Sequence, residues 1–164
     1  MQNRRQLTVA GLLITGGLVS PALAQSNSSP QSLAERFAAT LSAHDIDEFT
    51  ALFSDSYVNH QVSAAAPPRA ANVTPKQGTV AFFKARLAGL PDLKVTIEVM
   101  VTDKDHVAAS FVYTGTHKGM YFGIAPTGHA IRFTSCDILR VQDGQIVEHW
   151  GMGDIAGVLA QLRA

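Results

Sequence analysis

Apolar positions along the 164-residue chain change their period once, near Leu93. Before that point they recur three and four residues apart. Leu33, Phe37 and Leu41 share one helical face behind Ser29-Pro30 and the box Ser32-x-x-Glu35, which predicts a first helix ending near His44. Asp45, with Glu48 three residues on, opens a second helix whose stripe is Ile46, Phe49, Leu52 and Phe53, so the two form a hairpin. Tyr57 to His60 is a short extended piece. Gln61 to Val73, with Pro67-Pro68 and three consecutive alanines, has no period and reads as a surface loop. Thr74-Pro75-x-Gln77 then starts a third helix carrying Val80, Phe83, Leu87 and Leu90, closed by Pro91.

Beyond Leu93 the period is two. Val95, Ile97, Val99 and Val101 alternate with Lys94, Thr96, Glu98 and Met100, the mark of a half-buried strand. A second strand runs from His106 to Thr116, and a glycine-punctuated loop, Lys118 to Gly128, leads to a third from His129 to Val141. Asp143-Gly144 is a hairpin turn into a fourth strand, Ile146 to Met152, before a last short helix, Ile155 to Leu162. Helices followed by a four-strand antiparallel meander predict an α+β fold with helices on one face of a curved sheet.

Composition narrows the function classes. With 46% apolar and 16% charged residues, and 13 basic against 13 acidic side chains, the chain is neither disordered nor a coiled coil. No Lys/Arg cluster follows the first five residues, so a nucleic-acid partner is not expected. Cys136 is the single cysteine, which excludes an intramolecular disulfide and a Cys-rich zinc site. None of the six histidines makes an H-x-x-x-H or H-x-H spacing within one element, and neither a metal nor a cofactor is expected.

Residues 1–24 read as an export signal: Arg4-Arg5, an apolar run from Leu7 to Leu18, Ser20-Pro21, and the small-residue site Ala22-Leu23-Ala24. A membrane span needs roughly 20 apolar residues, so stable membrane insertion after cleavage is not expected. Asn3-Arg4-Arg5-Gln6-Leu7-Thr8 resembles the twin-arginine signal; a chance Arg pair in a general signal is the alternative. The expected organisation is a signal at 1–24, a polar tether at 25–30 and one domain at 31–164, in a periplasmic or secreted protein.

One acid stands out. On the third strand Ile131, Phe133, Ser135, Asp137, Leu139 and Val141 share a face, so Asp137 falls among apolar neighbours. Desolvation raises a carboxyl pKa towards the range of a general acid or base. A structural role, paired with Arg132 or Arg140 or accepting backbone hydrogen bonds, is the competing reading. On the fourth strand a bulge near the turn would shift facial assignment; Trp150, the largest apolar group, is expected inward. His60, after Tyr57-Val58-Asn59, and His117, after Gly115-Thr116, lie at strand ends where a pocket mouth could form, whereas His44 and His106 sit beside Asp in turns and are expected to be solvated.

Five strings in order carry a resemblance: Tyr57-Val58-Asn59-His60, Pro91-Asp92-Leu93, Gly115-Thr116-His117-x-Gly119 through Gly123-Ile124-Ala125-Pro126-Thr127-Gly128, Asp137-Ile138-Leu139-Arg140, and Asp143-Gly144-Gln145-Ile146-Val147-Glu148-His149-Trp150. The chain resembles the SnoaL-like polyketide cyclase family from about Leu33 to its end. The resemblance implies the cone-shaped α+β fold of the nuclear transport factor 2-like superfamily, with helices closing a curved sheet over an apolar pocket. It also implies that Asp137 occupies the family's acid/base position. Gly151 departs from the polar or acidic residue that many relatives carry after the Trp, and Ala125 from a second proline. The best-known cyclases act inside cells on polyketide intermediates, so an export signal argues against transferring their substrate.

These readings predict an exported, cofactor-independent enzyme acting on a small hydrophobic carbonyl compound. Asp137 is its base; His60, His117 or the Trp150 indole are the expected donors to an enolate oxygen. Trp150, Phe111, Tyr113, Phe133 and His149 are the expected substrate contacts. A binding protein using the same pocket without turnover is the rival, a structural dimer module the third reading, and a homodimer stays open in either case.

Overall fold

The computed structural model describes residues 29–61 and 70–164. The expected signal, most of the 25–30 tether and most of the Gln61 to Val73 loop lie outside these residues. Four helices and five strands follow in the order α1 (Pro30–Ala43), α2 (Ile46–Ala51), β1 (Phe53–Asn59), α3 (Pro75–Gly89), β2 (Lys94–Thr102), β3 (His106–Thr116), β4 (Ala130–Gln142), β5 (Gln145–Gly153) and α4 (Ile155–Arg163).

Local chemistry sets the boundaries. Ser29, not Ser32, caps α1: its hydroxyl accepts the Ser32 N–H at 3.1 Å, with Pro30 in the first turn. The Thr74–Gln77 capping box of α3 forms in both directions, at 3.2 and 2.9 Å. Asp143 (φ 51°) and Gly144 (φ 74°) both take positive φ, as a two-residue I′ hairpin turn requires.

The sheet order is β1-β5-β4-β3-β2. The sequence predicts four antiparallel strands; the fifth is the extended piece after the helical hairpin. It begins at Phe53, which the periodicity had assigned to the second helix, and pairs parallel with β5. Phe53 is buried in either setting, so its apolar character did not distinguish helix end from strand start. Helix α1 crosses β2, β3 and β4, and α3 lies along β1. Phe37 of α1 anchors the layer between, with ring centroids 5.2 Å from Phe49, 5.4 Å from Phe83 and 5.1 Å from Phe111.

One irregularity decides which β5 side chains face the core. The β4–β5 ladder runs Gln142↔Gln145 and Val141↔Ile146, then shifts so that Arg140 opposes Glu148. The extra residue in β5 reverses its alternation. Ile146 and His149 both point inward, and Trp150, opposite the partly exposed Ile138, lies on the outer face.

Candidate active site

Alternation along β4 turns Phe133, Ser135, Asp137 and Leu139 towards the helices. Asp137 is 5% exposed, yet it pairs with neither Arg132 nor Arg140. Its Oδ1 lies 2.7 Å from Nε2 of His149, itself 2% exposed, and its Oδ2 accepts from the Ser135 hydroxyl at 2.5 Å. On the far side of the imidazole, Nδ1 is 3.1 Å from the Tyr57 hydroxyl. That hydroxyl is 3.3 Å from Thr79 Oγ1, which accepts from Asn59 Nδ2 at 3.1 Å.

The inventory of donors gives this chain one consistent direction. With Asp137 ionised, both its oxygens accept. His149 then donates from Nε2, leaving Nδ1 to accept from Tyr57, whose oxygen accepts in turn from Thr79. Burial pushes the Tyr57 phenol up to about 12; the Thr79 hydrogen bond opposes the rise and the nearby Asp137 charge adds to it. Tyr57 therefore stays a neutral donor through the physiological range. Tyr113, whose hydroxyl is 3.5 Å from Ser135 Oγ, is also raised by burial.

Arg86 forms a second buried polar group, on α3. It is 4% exposed, and its guanidinium carbon lies 4.7 Å from the ring centroids of Phe82 and Tyr113, 4.9 Å from Phe83 and 5.0 Å from Phe133. Its Nε–H donates to the Tyr121 hydroxyl at 3.0 Å. Tyr113 and Phe133, stacked at 4.7 Å, connect this cage along the inner face to Ser135 and Asp137.

The residues singled out in the sequence divide between three places. His149, Tyr113 and Phe133 join Asp137 on the inner face, and Phe111 packs in the core against Phe37. Trp150 does not line the Asp137 site, because the β5 bulge turns it out; its indole stacks on His60 at 4.5 Å. His60 belongs to the same outer cluster, 2.7 Å from Glu148, whose other oxygen is held by Arg140 at 2.6 Å. These hydrogen bonds, His60 first, hold the Glu148 carboxyl below its ordinary range. His117 is buried but apart: its Nδ1 accepts the Thr127 N–H at 3.3 Å, and its Nε2 has no partner among the described residues. None of these three supplies a donor to the Asp137 network.

Sequence reasoning assigned no role to Arg86, Ser135, Thr79 or Tyr57. Arg86 follows Phe83 by three residues and so shares its helical face, a polar residue on an apolar stripe that was available to find. The Tyr57–His149 link, by contrast, exists only through the β1–β5 pairing. Among the described residues no three His, Cys, Asp or Glu side chains converge in a metal-binding arrangement.

Fold and site together define an α+β domain of the nuclear transport factor 2-like kind, in which helices close one face of a sheet over a buried carboxylate–imidazole pair. The chain belongs to the SnoaL-like polyketide cyclase family, whose model matches residues 31–162. It is similar to the crystal structure of IdmH from Streptomyces antibioticus, a candidate polyketide cyclase, at 28% identity over 82% of this chain and 99% of that one, with a TM-score of 0.70. AclR from Streptomyces galilaeus, a candidate hydroxylase, is 25% identical over 82% and 80% of the two chains, with a TM-score of 0.69. A SnoaL-like protein from Jannaschia sp. CCS1, at 22% identity over 91% and 99% with a TM-score of 0.69, shares the fold. Among curated proteins none matches the sequence.

Proposed function

We propose that this protein is an exported enzyme in which Asp137 removes a proton next to a carbonyl of a small hydrophobic molecule and returns it after isomerisation or ring closure. The observation that carries the reading is the buried Asp137 carboxylate, held between Ser135 and His149 with no arginine or lysine pairing it among the described residues. A neighbouring arginine or lysine would favour the ionised form further and make the carboxylate a weaker base. In the forward step a substrate C–H proton passes to Asp137 and the electron pair moves to the carbonyl oxygen as an enolate. The enolate then takes the proton back at another carbon, or its carbon attacks a second carbonyl whose alkoxide receives the proton from Asp137. Tyr57 gives its proton to His149, which leaves the neutral phenol of Tyr113 as the hydroxyl on this face suited to stabilising developing charge. His149, backed by Tyr57, lets charge on Asp137 redistribute during the cycle.

The test is hydrogen exchange of 2-tetralone in D₂O followed by NMR. Wild type should accelerate exchange, and Asp137→Asn, which keeps the shape and removes the base, should be slower by roughly 10²-fold or more. Full rate in the Asn variant would reject Asp137 as the base. Binding of 2-tetralone with wild type and Asn variant equally inert would indicate a carrier.

A further inference from the structure

We propose that Arg86 anchors a carboxylate on the substrate, so that the molecule presented to Asp137 is an apolar organic anion. This deepens the acid/base reading and rests on it only for which end of the molecule reacts. All 13 Asp and Glu side chains of the chain lie within the described residues, and none forms an ion pair with Arg86. The guanidinium is nonetheless buried. Four aromatic faces offset part of its charge, but a ring face accepts no in-plane hydrogen bond from the fork. Nε–H donates to the Tyr121 hydroxyl and the fork also reaches the Tyr113 hydroxyl, both neutral; among the described residues neither Nη group donates to a carboxylate or a backbone carbonyl.

A buried cation that meets only neutral hydroxyls and ring faces among the described residues is matched by one ligand chemistry, a planar oxyanion that takes two parallel N–H bonds. Position argues for a carboxylate remote from the reacting carbon rather than the enolate oxygen itself. Arg86 contacts β4 at Phe133, four residues before Asp137, which strand rise converts to roughly 13 Å. Tyr113 and Ser135 fill the interval along the same face. A substrate with its carboxylate at Arg86 and a carbonyl near Asp137 spans one or two rings. Its anionic end is kept from Asp137 by like charge, which fixes the orientation.

Isothermal titration calorimetry with 2-naphthoate and the neutral 2-naphthamide tests this in the full-length protein. Wild type should bind the carboxylate about tenfold or more tightly than the amide, the scale of a charge-assisted bidentate pair less its desolvation. Arg86→Met should bind both equally, with an unchanged or raised Tm, because an apolar side chain of similar length fits the aromatic cage without a charge to bury. Arg86→Lys, which keeps the charge but loses the fork, should retain part of the preference, and it decides the matter if Arg86→Met does not fold. Asp137→Asn should keep the full preference while losing exchange activity, so failure of the acid/base reading is seen separately from failure of this one. Equal affinity of the two probes for wild type, no binding of 2-naphthoate at millimolar concentration, or an unaltered preference in Arg86→Lys would overturn the proposal.

Discussion

Gly151 stands directly opposite Asp137 in the β4–β5 ladder, and a Cβ at that position would overlap Asp137 Oδ1 and lie 2.7 Å from His149 Nε2. The residue that looks like a departure from the family pattern is thus what leaves room for the carboxylate–imidazole pair. Gly151→Ala should force the two groups apart. Overpacking of this kind costs about 1–3 kcal/mol, so urea unfolding should show a lower midpoint, and exchange activity should fall towards that of Asp137→Asn. An alanine variant with wild-type stability and activity would show that the pair does not depend on this glycine.

Tyr57 gives the protein an alkaline limit. Folding raises its phenol from 10.0 to about 12 through burial, so the stabilisation it provides is fully present below pH 10 and is lost as pH rises towards 12. Urea midpoints followed across this window should fall more steeply for wild type than for Tyr57→Phe. At neutral pH the Phe variant leaves His149 Nδ1 and Thr79 without their shared partner, a loss of about 1–3 kcal/mol. Equal alkaline slopes would place the effect elsewhere.

What the sequence revealed and what it hid have different physical origins. The α1 and α3 faces, the strand alternation from Val95 onward and the Asp143-Gly144 turn are local, and the structure repeats them. Asp137 was legible for the same reason: its neighbours at even spacing are apolar. The orientation of Trp150 was not, because the bulge opposite Arg140 is a property of the β4–β5 pairing. Parity counted from the turn sends Trp150 inward; one inserted residue sends His149 there instead. Parallel pairing of β1 with β5, which delivers Tyr57 to His149, is equally non-local. Arg86 lies between these cases: its place on the Phe83 face is local and legible, whereas the aromatic cage that buries it draws Tyr113 and Phe133 from the sheet and is not.

Export is tested at the other end of the chain. Arg4-Arg5, the apolar run and Ala22-Leu23-Ala24 lead us to expect cleavage before Gln25. N-terminal sequencing of secreted protein should begin at Gln25, and material beginning at Met1 would sink the reading. Replacing both arginines by lysine should block export if the twin-arginine machinery is used, whereas a general signal would still function with two lysines.

The sharpest test exploits adjacent residues on opposite faces of one strand. His149 is inward, hydrogen-bonded to Asp137 and Tyr57; Trp150 is outward, stacked on His60. His149→Gln keeps approximate size but cannot carry a proton between its two partners, and exchange activity should fall by roughly 10²-fold or more, the usual scale for loss of an acid/base group. Trp150→Ala removes a half-buried ring from the outer cluster and should leave turnover within about twofold of wild type, with a stability cost of order 1 kcal/mol from lost burial and stacking. The two faces are thereby separated without reference to the natural substrate. A severe activity loss in Trp150→Ala, with its Tm intact, would return the indole to the site and mean that the β5 register differs in solution.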